Sequence, residues 1–555
     1  MDNQARVSLL ASLLVTASVL PAPRPAHAQV IDGGLTAAVE RAAFQAGQAG
    51  EPAGRFDLTL AVAVERALER NLDIAVQRVN PLLQDMQIAT ANAAFLPFAS
   101  SGFGMNQRTS PNRSLFDGGG LGGRNIVTEN GSYDLGVNQR VPWGGGQYNL
   151  TWNSTRLESN NIFSSFNPSF GASMNLNYTQ PLLRGFRTDP QRTQLVVSRI
   201  NRDISDIDLE QQIVNTLANV RAAYWDLVYA RAAVQVQEQA LELAEQLVRD
   251  NQARVEIGTL APIEVVQAQS QAALSRQTLA QAVQTLRTAE LALKQLIVDG
   301  TEDELWDAEI YPTDQPQIET APIDLEGAIR GALDRRTDIS RARRQLDISD
   351  VQLDNLRNST LPALDLVGSY QLTGQGGPRL IPAGSSFEAL FGGGGGVLPG
   401  GYGDAIDDIV DADYPFWSVS LQMTWPLGTS AEEADHERAR LQLQQARTQI
   451  RQIELQIATE VTNAALQIDS IGQRIEAATA SRELAEEQLR AEESKFEVGI
   501  STNFFVVQAQ RDLAEAQDTE LRAILDYQKA LIEFERAQRT SLGGAGVTVA
   551  GGGGF

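Results

Sequence analysis

The stretch RVEIGTLAPIEVVQAQ, Arg254 to Gln269, returns later in the chain as KFEVGISTNFFVVQAQ, Lys495 to Gln510. The two align without a gap at an offset of 241 residues. Seven of the 16 positions are identical: Glu256/Glu497, Gly258/Gly499 and the run Val-Val-Gln-Ala-Gln. Each copy follows a long segment rich in Ala, Gln, Leu and Glu. The first, from about Gln191 to Ile257, holds no proline or glycine; the second, Ala431 to Val498, is interrupted only at Gly472. As helices, each would run about 100 Å at 1.5 Å per residue. Ile213, Leu217, Val220, Tyr224 and Leu227 step by four and three, a narrow apolar seam of coiled-coil type. A glycine after such a helix takes the left-handed conformation that closes its last turn. Pro262 then suits the first turn of a returning helix, and Ser501, Thr502 and Asn503 are capping candidates in the second copy. The motif reads as the tip of an antiparallel helical hairpin, built twice.

The repetition extends outward from the tips. LTLAVAVERALERNLDI (Leu58–Ile74) pairs with IDLEGAIRGALDRRTDI (Ile323–Ile339) at an offset of 265, and the same offset carries Leu96-Pro97 onto Leu361-Pro362. TQPLLRG at Thr179 then matches TWPLGTS at Thr424, where the offset falls to 245. Each half therefore reads helix, β-rich segment, long helix, turn, helix. A period this long is a duplication and not a solenoid.

The β-rich segments alternate strictly. In FGASMNLNYTQ from Phe170, Phe170, Ala172, Met174, Leu176 and Tyr178 oppose Gly, Ser, Asn and Thr; in WSVSLQMTW from Trp417, Trp417, Val419, Leu421, Met423 and Trp425 oppose Ser and Gln. A soluble sandwich alternates in the same way. Three features favour a membrane barrel instead: strands of about 9–11 residues, a polar face with few charges, and aromatics near strand ends. Met174, Leu176, Val419, Leu421 and Met423 are then the lipid-facing set. YDLGVNQRV from Tyr133 and QYNLTWNST from Gln147, joined by Pro142–Gly146, are further strand candidates. Each half supplies at least two strands, and the first up to four.

Bulk properties exclude several classes. The chain has 555 residues and a net charge of −24, which argues against a nucleic-acid binder. It has no cysteine, hence no disulfide, thiolate metal site or lipidated cysteine. At the N-terminus, Arg6, the apolar run Val7–Leu20 and Ala26-His27-Ala28 read as a secretory signal over residues 1–28, with cleavage after Ala28. No later window is apolar enough for a transmembrane helix.

With these features in duplicate and in order, the chain resembles the TolC-type outer-membrane efflux protein family. The carrying residues are the two helix starts (Leu60–Asn71 and Leu325–Arg336), the transition Thr179–Gly185 and both glycine tips. The resemblance implies an α+β membrane protein: a duplicated helix–β-hairpin–long helical hairpin. Three protomers would close a β-barrel in the outer membrane, continued by a periplasmic α-helical barrel. The chain then divides into the signal (1–28), a flexible segment (29–56) and a first repeat (57–298, strands about 97–181, tip at 258). A connector in the equatorial belt (299–322), a second repeat (323–540, strands about 362–426, tip at 499) and a Gly-rich tail (541–555) follow. The implied function is a passive homotrimeric duct of a tripartite efflux or type I secretion system, from the periplasm through outer-membrane lipid. A periplasmic adaptor and an inner-membrane pump are its partners; no cofactor, metal or catalytic residue is called for. The adaptor would dock at Arg254, Gly258, Thr259, Lys495, Gly499 and Ser501. The periplasmic entrance would be lined by Glu264, Gln267, Phe505 and Gln508. Family members often carry acidic residues just inside the second tip; Phe505 and Gln508 depart from that pattern, while Glu264 keeps a carboxylate. Phe504 and Phe505 read either as packing of the hairpin base or as an apolar constriction. The alternative is a coiled-coil adaptor or adhesin with soluble β domains.

Several tempting features have plain readings. His436, between Asp435 and Glu437, reads as a solvated helix face and not a triad. Gly392–Gly396 and Gly551–Gly554 lack the Lys-Ser/Thr of a phosphate loop. The acidic cluster Gly403–Asp413 fits no EF-hand spacing and reads as a solvated extracellular loop. Phe555 follows a glycine tail and not a strand. With five methionines and, after processing, one histidine, soft ligands for copper or silver export are scarce.

Overall fold

The computed structural model describes residues 54–112, 125–161, 163–316, 323–381, 396–428 and 430–539. The readings of the signal segment, the glycine runs 392–395 and 551–554, and Phe555 fall outside them. A short strand β1 (Arg55–Leu58) leads to helices α1 (Leu60–Arg70) and α2 (Leu72–Ala93). Four strands follow: β2 (Phe98–Ser110), β3 (Ile126–Arg140), β4 (Gln147–Ser159) and β5 (Ser169–Pro181). The first hairpin is α3 (Pro190–Glu256) and α4 (Pro262–Ile297), and β6 (Glu309–Pro312) pairs with β1. The second half repeats the plan with α5 (Leu325–Arg335), α6 (Thr337–Ser359), β7 (Ala363–Gly376), a β8–β9 ribbon (Arg379–Leu380, Val397–Leu398), helix α7 (Tyr402–Val410) and β10 (Pro415–Thr424). The second hairpin, α8 (Ala431–Glu497) and α9 (Asn503–Gln538), completes it.

The long helices start where their caps say they should. Asp189 accepts the N–H groups of Gln191 and Arg192 at 2.8 and 2.9 Å, with Pro190 in the first turn. Ser430 accepts from Glu433 at 3.2 Å. The seam residues Ile213, Leu217, Val220, Tyr224 and Leu227 are all buried. In the tip-side half, α4, α3, α9 and α8 stand side by side in that order; in the sheet-side half the order is α2, α3, α6, α8. Each half is thus four helical columns wide, with α3 and α8 running through both. Gly472 does not interrupt α8, which is helical across it.

One sheet holds six strands in the order β10-β7-β5-β4-β3-β2, every pair antiparallel. The first half supplies four of them and the second two. The acidic cluster departs from the loop reading. Tyr402–Val410 is a helix with Ala405 and Ile409 buried, because its apolar residues fall at helical spacing and face the sheet.

Candidate functional site: two joined tips and a two-faced sheet

Gly258 and Gly499 have φ of +78° and +76°. At the first tip the Gly258 N–H reaches the Val255 carbonyl at 3.0 Å and the Thr259 N–H reaches that of Arg254 at 2.9 Å. At the second, Gly499 reaches Phe496 at 3.2 Å and Ile500 reaches Lys495 at 2.9 Å. This is the same double bond pattern, a Schellman closure, at both ends. The capping expectation fails at the second tip, where α9 begins without a side-chain cap. Ser501 instead donates to Glu492 at 2.7 Å, and Asn503 turns inward.

That inward turn joins the two hairpins. The Asn251 amide donates to the Asn503 carbonyl oxygen at 3.0 Å, and Asn503 donates to the Glu264 backbone carbonyl at 3.3 Å. Both asparagines are buried. Arg254 donates to the Phe496 carbonyl at 3.2 Å and lays its guanidinium 4.4 Å from the centre of the Phe496 ring. Leu247, Ala268, Leu489, Val506 and Ala509 pack with Phe496 behind these bonds. Lys495 and then Ser501 hold the Glu492 carboxyl below the usual carboxylate range by hydrogen bonding its charged form. The docking set is therefore gathered at one end: Arg254 faces the other hairpin, while Gly258, Thr259, Lys495 and Gly499 are exposed.

Of the entrance residues, Gln267, Phe505 and Gln508 are exposed and Glu264 is half-buried, with one carboxylate oxygen buried and unpartnered among the described residues. Phe504 and Phe505 do not pack the hairpin base. They meet edge to face at 5.6 Å on the protomer surface, and Asn503 and Val506 fill the base. Gln508 donates to Asp512 at 2.7 Å, so a carboxylate lies one turn beyond the neutral positions. Asn251 and Asp512 escaped the sequence reading, and Asn503 was read there only as a capping candidate. The i, i+4 spacing of Gln508 and Asp512 could have revealed the carboxylate; nothing local marks the asparagine pair, whose members are 252 residues apart.

At the other end of the long helices, the register places most apolar positions of the six strands on one side, with Phe98, Leu157, Val367 and Phe416 on the other. Leu421 lies opposite Leu366, and Val419 opposite Gly368. One continuous row runs Trp417, Tyr370, Leu176, Leu150, Val137 and Ala99. The other side pairs Ser418 with Ser369 and Asn177, their hydroxyls 2.6 Å apart across Ser369–Ser418. Leu176, Val419, Leu421 and Met423 are exposed on the protomer. Met174 is an exception: it lies with Trp152 against α7, whose Ala405 and Ile409 pack on Ala172 and Leu372. The close approach depends on Gly374 and Gly376, where a Cβ would come within 2.0 Å of the Ala405 carbonyl oxygen and 2.1 Å of that of Gly401. From Leu372, which α7 covers, down to Leu364 the apolar band is about 20–25 Å tall for strands tilted about 40°, the height of an outer-membrane barrel's lipid belt. Among the described residues no helix is long and apolar enough to cross a membrane.

A model of the outer membrane efflux protein family matches residues 63–297 and 328–538. No curated protein matches the chain in sequence. Solved structures share its fold. The CmeC outer membrane channel of Campylobacter jejuni aligns at TM-score 0.60 and 15% identity, over 86% of this chain and 85% of that one. The outer membrane protein VceC of Vibrio cholerae gives 0.57 and 15%, over 86% and 95%. The open-state MtrE outer membrane channel of Neisseria gonorrhoeae gives 0.55 and 17%, over 86% and 88%. Spanning both repeats, the family match carries the assignment: the chain belongs to the outer membrane efflux protein family and is an outer-membrane channel protein with a periplasmic extension.

Proposed function

We propose that three copies of this chain form a passive duct, with the two-faced sheet in outer-membrane lipid and the paired tips at the periplasmic entrance. There they dock a periplasmic adaptor and, through it, an inner-membrane pump. The observation that carries this reading is the separation of two unlike ends. A sheet with one mainly apolar and one polar, mostly uncharged side stands about 100 Å along α3 and α8 from two hydrogen-bonded tips. An adaptor or adhesin with soluble β domains has no use for a wide apolar band on the outside of its sheet.

Fractionation followed by planar-bilayer recording tests it. The chain is expected in the carbonate-washed outer membrane, at trimeric mass, and conducting. A monomer released by carbonate overturns the reading. At the entrance, the exposed Phe505 places an apolar ring where a carboxylate would attract cations. Closely spaced like charges reinforce one another's field in a narrow pore. The native channel is expected to resist micromolar trivalent cations applied from the periplasmic side, and Phe505→Asp to introduce block. Block of the native channel that vanishes in Glu264→Gln or Asp512→Asn would assign the cation site to that carboxylate instead.

A further inference from the structure

Far from the long helices, the register sets two rows across the apolar side of the sheet. One runs Phe103, Tyr133, Ser154, Ala172 and Gly374; the next, one step farther out, runs Met105, Gly131, Arg156, Phe170 and Gly376. Helix α7 covers the Ala172 and Gly374 end of these rows. At the β2 end Phe103 is 79% exposed and Met105 75%. Between the two ends lie Gly131, which has no side chain, and the short Ser154. They floor a hollow of about 340 Å³ walled by Phe103, Met105, Tyr133, Phe170 and Tyr402. The bore, on the other side of the sheet, does not reach it.

The wall toward α7 is fixed. Tyr402, the first residue of α7, meets the Phe170 ring edge to face at 6.2 Å, and its hydroxyl hydrogen-bonds with that of Ser154. The outer limit of the hollow is charged. Arg156 donates to Glu158 at 2.5 Å, and Glu129 lies opposite Glu158 on the neighbouring strand. Arg156 is the one Lys or Arg on this side among the described strand residues. A long basic side chain at the edge of an apolar surface lays its stem along that surface and its charge in the polar layer. Toward the long helices the hollow runs into the apolar band at Leu135 and Trp152. Apolar walls below and a mixed-charge row above are the two parts of a lipid in order, tail and then head.

Resting on the reading that this side faces outer-membrane lipid, we propose that the hollow is a lipid site. It holds one acyl tail of an outer-leaflet lipid in the step between β2 and α7, with the lipid head at the Arg156–Glu158 row. Its size is that of a small-molecule pocket. A tail lying there is touched from the floor and from two sides, whereas one against an open barrel wall is touched from one side only. Apolar stabilisation scales with the area covered, so this tail stays while its neighbours exchange. The ion pair at the mouth offers the head both a donor and an acceptor.

The test uses the assembled full chain in phosphatidylcholine vesicles doped with a phosphatidylcholine that carries a photoactivatable diazirine on its acyl tail. Labelled peptides are quantified by mass spectrometry. Labelling at Met105, Tyr133 and Tyr402 is expected several-fold above that at Val419 and Leu421, which lie on the open wall. Gly131→Phe fills the hollow, and a Cβ there meets nothing within 4 Å, so the strand accepts it. It is expected to bring labelling of the hollow down to the level of the open wall. Gly368→Phe, on the same side but outside the hollow and equally unobstructed, is expected to leave the enrichment in place. Tyr402→Ala removes the α7 wall without altering a strand, and its loss of enrichment decides the matter if Gly131→Phe does not assemble. Labelling of the native hollow no higher than that of the open wall overturns the site and leaves the lipid-facing reading standing. Enrichment that survives the filled hollow or the missing wall also overturns the site. Absence of label at Val419 and Leu421 overturns the lipid-facing reading itself.

Discussion

The two halves of the chain agree where they build helix and disagree where they build sheet. The hairpin helices are 67 and 36 residues long in the first half and again 67 and 36 in the second. The starting helices are 11 and 11 residues. Among the described residues the halves give that one sheet four strands and two, and only the two-strand half adds a helix against its apolar face. The difference follows from what each element must match. All four columns share one wall, so a hairpin longer than its neighbour would carry its tip and apolar seam past the partner it packs on. A sheet grows sideways, and an added antiparallel pair leaves the edges running as before. Length is therefore held by the helical packing, while strand number is held only by the circumference it must fill.

The most damaging way to break the comparison is to attack what both halves of the sheet share, the common apolar side. Leu421→Arg on the two-strand half is expected to cost about 2–4 kcal/mol if it lies near the bilayer midplane, seen as loss of assembled protein from the outer membrane. Gln422→Arg, one residue on and facing the other side, is expected to assemble normally. Equal effects at both positions would end the two-faced reading of β10.

Next comes a difference between the tips. Position 503 is asparagine in the second copy, and its equivalent in the first is Pro262. Only the second tip therefore carries an amide at this position, which accepts from Asn251. Asn503→Leu leaves a buried amide unpaired, an expected loss of about 1–3 kcal/mol. It should appear as faster amide exchange around residues 251 and 503, with the sheet end unchanged. Unchanged exchange would mean that apolar packing and the Arg254–Phe496 contact join the tips without the asparagine pair.

How much of this was legible in the sequence depends on how local each signal is. The hairpins were, because a proline-free run, a seam and a glycine sit within one stretch of chain. The two faces of the sheet were, because alternation is a local property of a strand. The number of strands was not: β2 carries Gly102, Gly104 and a run of serines, so its pattern is faint until β3 supplies Tyr133 and Leu135 opposite Phe103 and Ser101. The helix at Tyr402–Val410 hid behind its aspartates, although Ala405 and Ile409 stand four apart. The asparagine pair was beyond reach, since only the fold brings positions 251 and 503 together.

A smaller effect sharpens the comparison at the helix starts. Asn71 caps α2 by accepting from Ile74 at 3.1 Å and donates to the Leu296 carbonyl at 2.9 Å, tying the first start to the end of α4. Its equivalent, Arg336, makes no side-chain cap and pairs with Asp338 and Glu460. Asn71→Ala is expected to lower stability by about 1–2 kcal/mol. Arg336→Ala is expected to cost less, because half-exposed ion pairs are screened. Thermal dissociation of the assembled protein compares the two. A greater loss for Arg336→Ala would reverse the assignment of the firmer joint to the first half.

The smallest expected effect tests whether the tips are equivalent in backbone as well as in motif. At both glycines the space where a Cβ would sit is empty within 4 Å, so an alanine meets no neighbour. What remains is the cost of holding a residue with a Cβ at φ of +78° or +76°, about 1 kcal/mol. Gly258→Ala and Gly499→Ala are therefore expected to lower thermal stability by equal amounts, each in line with the backbone term alone. The double variant should show the sum, since the two closures share no hydrogen bond. A larger loss at Gly499 would mean that the second tip's start, which the Asn503 contact holds in place, cannot shift to relieve the strain. The tips would then be alike in sequence pattern but unequal in stiffness, with the second as the fixed point of the entrance.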